Sequence, residues 1–208
     1  MNKIYTQPQT FSNTIWSNVI DTEPTSEPIA NSVMKNFLKV SNSSDDDLIA
    51  SIITTARQIV EIESRRIFLQ TTFTLNLDRF PTNTNWIILP VSPLSSVTHI
   101  KYYNEDNSLT TWDSSNYIVD DKSMPPRIRL SEGGSFPSTY TRPNAVEVKY
   151  VAGYASSSSA GYPTGLVAAI YLVAGHLYQN RQSVVDKMHY NLPQGVKSII
   201  NNYKNLEV

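Results

Sequence analysis

The apolar residues of this chain change their spacing twice, and that change limits the fold more than any other feature. From 48 to 60 they recur at helical intervals, as Leu48, Ile49, Ile52, Ile53, Ala56, Ile59 and Val60. From residue 72 they alternate: Phe73, Leu75 and Leu77 interleave with Thr72, Thr74 and Asn76. Val146, Val148 and Tyr150 likewise alternate with Glu147 and Lys149. The helical interval then returns, with Leu166, Ile170, Val173 and Leu177 on one face. The order predicts an α+β chain, in which a helical core of two long and two short helices is interrupted by a β-rich insert of short antiparallel strands.

The first long helix is expected to start after Ser44, whose hydroxyl can accept from a free N–H of the first turn. Asp45, Asp46 and Asp47 then sit where the positive end of the helix dipole favours them. Its polar face would carry Ser51, Thr54, Thr55, Arg57, Gln58 and Glu61, and the helix should run to about Arg65. A short helix over 30–38 is expected before it, with Val33, Met34, Phe37 and Leu38 on one face. The second long helix should span 164–180, entered through Pro163. A neighbouring face of it carries Val167, Tyr171, Ala174 and Tyr178. So broad an apolar surface exceeds one intramolecular contact and calls for a second partner, in the β region or in another subunit. Pro193 would open a last short helix, to about Tyr203, with Val196, Ile199 and Ile200 as its apolar stripe.

Further strands are expected at 86–89, 97–103, 117–119 and 128–130, and the turn-forming run 104–108 suggests a hairpin. Pro90, Pro93, Pro125, Pro126, Pro137 and Pro143 keep these strands short. The domain plan is an extended N-terminal arm (1–29), the first part of the helical core (30–69), the β-rich insert (70–152), a Ser-rich connector (153–163), and the second part of the core with a C-terminal docking segment (164–208).

Composition removes several kinds of chemistry. There is no cysteine among the 208 residues, which excludes a disulfide scaffold, a thiolate metal site and a cysteine nucleophile. Seventeen Lys and Arg against 18 Asp and Glu give a formal net charge of −1, so no whole-molecule field attracts a polyanion. The N-terminus has no apolar run of the kind a secretory signal needs. The longest apolar stretch, 166–174, is far short of the ~20 residues that span a bilayer, so a soluble protein without a membrane partner is expected.

No motif points to catalysis. His99, His176 and His189 lack the spacing of paired metal ligands, and Gly133-Gly134 is no phosphate cradle. The three consecutive carboxylates read as helix capping rather than as a calcium loop. Twelve tyrosines and three tryptophans invite a carbohydrate-binding reading. Against it, Tyr102, Tyr150, Trp86 and Trp112 are expected to fill a small β core, leaving Tyr5, Tyr140, Tyr154 and Tyr162 in loops or the arm. A hydrolase with dispersed carboxylates is the less favoured rival.

One ordered series of segments carries a resemblance. It runs through Glu27-Pro28-Ile29, Asp46-Asp47-Leu48-Ile49, Ala56-Arg57-x-x-Val60-Glu61, Arg65-Arg66-Ile67-Phe68 and Asp78-Arg79-Phe80-Pro81. It continues through Ile88-Leu89-Pro90, Tyr117-Ile118-Val119-Asp120, Ala152-Gly153-Tyr154, Leu177-Tyr178-x-Asn180-Arg181 and Leu192-Pro193-x-Gly195-Val196. In order and spacing this resembles the head–tail connector (adaptor) proteins of tailed bacteriophages, the gp6-like and phiE125 gp8-like group. The resemblance implies a non-enzymatic virion protein, assembled in the bacterial host cytoplasm and placed in the neck. About twelve copies would form a ring beneath the portal protein, extend the DNA channel and meet the next neck or tail protein. Double-stranded DNA would pass without sequence-specific binding, and no cofactor is expected. Val167, Tyr171, Ala174, Tyr178 and Arg181 are then the expected subunit interface, and Lys197, Ile200, Tyr203 and Lys204 the expected portal-docking residues. A tail-surface carbohydrate-binding module is the alternative.

Overall fold

A computed structural model describes residues 16–154, 161–180 and 194–204. The described residues are α+β, with four α-helices and two antiparallel sheets among them. It divides into two compact units. One holds the residues up to Pro24 together with Gln70–Gly153, and the other holds Thr25–Leu69 together with the chain from Tyr154 to Glu207.

Among the described residues the first unit has eight strands: β1 (Trp16–Thr22), β2 (Thr71–Leu77), β3 (Trp86–Ile88), β4 (Leu94–Tyr103), β5 (Leu109–Thr111), β6 (Tyr117–Asp120), β7 (Arg127–Leu130) and β8 (Val146–Ala152). Five form a sheet in the order β1-β2-β8-β4-β5, and three form a smaller one in the order β3-β7-β6. In β2 and β8 every second residue is buried, which is why the period of two was readable. Phe73 stacks on Tyr150 at 5.5 Å between ring centres, and the Tyr150 hydroxyl donates to Asn18 Oδ1. Phe80, Tyr102, Trp112, Tyr117 and Phe136 form a second aromatic cluster, with neighbouring centroids 5.0–5.7 Å apart. It brings Tyr102 of β4 together with Tyr117 of β6.

The expected hairpin is present. Asn104 closes the turn between β4 and β5 by bonding Ser108, and Asn107 takes the left-handed conformation with φ 57°. Part of the expected N-terminal arm, Trp16–Thr22, is the edge strand β1, paired with β2. Its apolar alternation is weak, because Asn18 occupies an inward position that a strand would normally give to an apolar residue.

The second unit is helical: α1 (Asn31–Leu38), α2 (Asp46–Ser64), α3 (Thr164–Gln179) and α4 (Gln194–Asn201). Its core joins Met34 of α1, Ile49, Ile53, Ala56 and Val60 of α2, Leu166, Ile170 and Val173 of α3, and Val196 and Ile200 of α4. Ser44 is not the cap of α2. The residue before the helix is Asp45, and the Ser44 N–H donates to Asn42 Oδ1. Arg65, in the left-handed conformation, ends α2. Among the described residues no helix is long and apolar enough to cross a membrane.

Candidate functional site

The second apolar face of α3 is largely covered within its own unit. Ala174, expected at a subunit interface, is fully buried and has no surface to offer a neighbour. Val167, Tyr171 and Tyr178 pack on the helical core and are only partly buried. The Tyr171 ring meets Phe37 of α1 at 5.0 Å, and the Tyr178 hydroxyl donates to the Asp45 carboxylate at 2.6 Å. Three helices therefore share α3, which is why one stripe was too narrow for it. What remains exposed is Leu172 of α3, with Val33 and Phe37 of α1. Arg181 lies outside the described residues.

The α4 segment is built into its unit rather than detachable from it. Ile200, expected to dock the portal, is buried. The Tyr203 ring packs on the core, so close to Gly165 that a Cβ there would lie 2.6 Å from the ring. The Arg66 Nε donates to the Tyr203 carbonyl at 2.9 Å. Lys197 and Lys204 are exposed.

The motif residues of the helical unit converge on one buried ion network. Arg57 and Glu61 were expected on a solvated face, yet both are buried. The Arg57 guanidinium donates through Nε to one Glu27 oxygen at 2.7 Å and through a terminal nitrogen to the other at 3.2 Å. Its remaining terminal nitrogen donates to Glu61 at 2.6 Å. The other Glu61 oxygen accepts from the Phe68 N–H at 2.9 Å, so both oxygens accept, as an ionised carboxylate requires. Thr54 donates its hydroxyl proton to Glu27. Burial alone would lower the Arg57 pKa, but the charges of Glu61 and Glu27 outweigh it and push it up. Burial pushes Glu61 up as well, opposed by Arg57 and the Phe68 N–H. The network fastens the stretch before α1 and the residues after α2 to the middle of α2. Sequence offered one signal for it, the i,i+4 spacing of Arg57 and Glu61 beside buried positions. The distant partner Glu27 had none.

Two solvent faces stand out. On α2, Leu48, Ser51, Thr55 and Ile62 are exposed along one stripe, with Asp47 and Glu63 on its flanks. Ser51 and Thr55 turn their hydroxyls back to the carbonyls of Asp47 and Ser51. On the three-stranded sheet, Trp86 of β3, Arg129 of β7 and Ile118 of β6 lie directly opposite one another. Trp86 is 37% exposed and Ile118 58%. Trp86 therefore leaves the core in which it was expected, while Tyr150 and Trp112 are buried. One register step along, Arg127 covers the Trp86 ring at 5.8 Å and pairs with Asp120 at 2.9 Å.

The remaining chemistry is sparse. His99 Nε2 lies 2.9 Å from a Glu147 oxygen, and His176 is held beside Asn180 at the end of α3. Among the described residues no cluster of three or more His, Asp or Glu could hold a metal ion.

The sequence matches no family model and no curated protein. The fold, however, is shared with solved structures. The chain is 21% identical to a component of the neck of an empty gene transfer agent particle computed with C6 symmetry, with a TM-score of 0.76 over 92% of this chain and 96% of that one. A component of the virion of the native particle gives 0.75 with the same identity and coverage. One from the native neck computed with C12 symmetry gives 0.69, over 91% and 95%.

Proposed function

We propose that this chain is a structural component of the virion neck, a ring-forming head–tail connector beneath the portal that extends the DNA channel. The observation that carries this reading is the fold shared with neck components over 92% of the chain, in assemblies computed with cyclic symmetry. The near-zero net charge fits a passage through which DNA slides without being held. The protein acts by assembly rather than catalysis, and its home is the finished particle. Within that reading, the exposed edges of Val167, Tyr171 and Tyr178, with Leu172 beside them, belong to the contact between adjacent copies. Lys197 and Lys204, on the outside of α4 and just after it, face the portal. The gp6-like group of connectors is the family we assign on the ordered motif series.

The test is genetic. Particles made without this chain should show DNA-filled heads lacking the neck ring and carrying no tails by electron microscopy. Normal, tailed particles would overturn the reading. The exposed Trp86 face keeps the carbohydrate-binding alternative open to test: binding of cell-wall glycan by the isolated protein, with intact necks in the deletion, would favour it.

A further inference from the structure

We propose that the exposed side of α3 in one copy packs on the exposed side of α2 in the next copy, with Leu172 seated over Ser51 and Thr55. The proposal rests on the ring reading, because a cyclic assembly joins two different faces of the same chain. The helical unit supplies two such faces, on opposite sides. α2 and α3 pack together through Ile49, Ile53, Ala56 and Val60 on one and Leu166, Ile170 and Val173 on the other. At 3.6 residues per turn, Leu48, Ser51, Thr55 and Ile62 stand on the far side of α2. Thr164, Ala168, Leu172 and Gln179 stand on the far side of α3, and all eight are exposed. Phe37 of α1 widens the α3 face, lying against Gly175.

The two faces match in charge, height and shape. An outer helix face normally carries charged residues, yet α3 has no Asp, Glu, Lys or Arg over its 16 residues. It can be covered without stranding a charge, and it sets no like charge against Asp47 or Glu63 at the ends of α2. Tyr178 bonds Asp45 at one end and Tyr162 meets Phe68 at the other, so α2 and α3 run antiparallel. In a ring whose axis runs along these helices, neighbouring copies keep the same heights. Leu172 then comes opposite Thr55, each near the middle of its helix. Leu172 and Phe37 project, at 44% and 46% exposed. Facing them are the short side chains of Ser51 and Thr55, a shallow site bounded by the bulkier Leu48 and Ile62. The Ser51 and Thr55 hydroxyls already donate to helix carbonyls, so covering them leaves no donor unpaired. A projecting side chain over short ones is the ridge-into-groove fit of packed helices.

The chain has no cysteine, so introduced thiols meet no native thiol of their own chain. Two full-length double variants are made, Leu172→Cys with Thr55→Cys, and Leu172→Cys with Ser51→Cys one turn away. All three positions are exposed, and circular dichroism confirms that each variant is folded. The variants are oxidised alone and after mixing with the portal protein of the same particle, then read on non-reducing gels. Within one copy the two thiols lie on opposite sides of the helical unit, so a disulfide forms only between copies. A ladder in steps of 23.4 kDa is expected from at least one double variant. None is expected from chains carrying a single cysteine, because the contact joins different faces. No ladder from either double variant, while wild type associates with itself or with the portal, overturns this contact and leaves the ring reading standing. A cross-linked dimer from Leu172→Cys alone brings α3 against α3 and overturns it as well. A wild-type chain that associates with neither itself nor the portal overturns both.

Discussion

The Tyr178 hydroxyl donates to the Asp45 carboxylate at 2.6 Å, tying the last turn of α3 to the residue that precedes α2. A hydrogen bond to a charged group of this kind contributes about 1.5–3 kcal/mol. Tyr178→Phe should therefore lower the stability of the helical unit by about that amount, read as a shift of the urea midpoint, with association unchanged. Tyr178→Asp is a poor probe of assembly, because it sets a second carboxylate against Asp45 and strikes folding first. Leu172→Asp, at a position 44% exposed, should leave the melting temperature nearly unchanged and weaken association.

Arg57 holds two carboxylates in a buried site, and removing it leaves Glu61 buried and uncompensated. Arg57→Ala should destabilise the chain by about 3–5 kcal/mol in chemical denaturation. Replacing Arg57 and Glu61 together by Met should cost less than Arg57→Ala alone, since no buried charge is then left unpaired. If the double variant is the weaker protein, the ion pair contributes more than its own dehydration costs.

Gly165 leaves room for the Tyr203 ring, and any side chain there collides with it. Gly165→Ala should displace Tyr203, weaken the Arg66 bond to its carbonyl, and cost about 1–3 kcal/mol despite the better helix propensity of alanine. Amide hydrogen exchange should rise in α4 before it rises in α2.

The turn between β6 and β7 responds to acid. Asp120 accepts from the Ser123 N–H and from Arg127, which together hold its pKa below the ordinary carboxylate value. A depressed folded-state pKa adds stability above the unfolded value, about 3.9, and that contribution is lost as the pH falls through the folded value. Chemical shifts of Ser123 and Arg127 should therefore move only below about pH 4. Asp120→Asn should abolish that transition.

The elements of this fold were legible where periodicity was strong. α2 and α3 end within a residue of the ends expected at 65 and 180, and β2 and β8 alternate cleanly. β1 is hidden because an inward Asn18, whose Oδ1 accepts from the Tyr150 hydroxyl, breaks the apolar alternation. The network of Glu27, Arg57 and Glu61 was hidden for a different reason. Charged residues on a helix read as solvated until a partner 30 positions away is brought to them by the fold. The outward placement of Trp86 followed from its pairing opposite Arg129, a register that no local pattern reveals. Ala174 and Ile200 stand on apolar faces that sequence displays without displaying how many helices will share them.

Assembly in the neck is tested by the mass of the purified chain, alone and mixed with the portal protein of the same particle, by native mass spectrometry. The expected result is a ring-sized species of about twelve 23.4 kDa chains, or a monomer that joins the portal in a one-to-one subunit ratio. A monomer that stays a monomer and leaves the portal unchanged would contradict it.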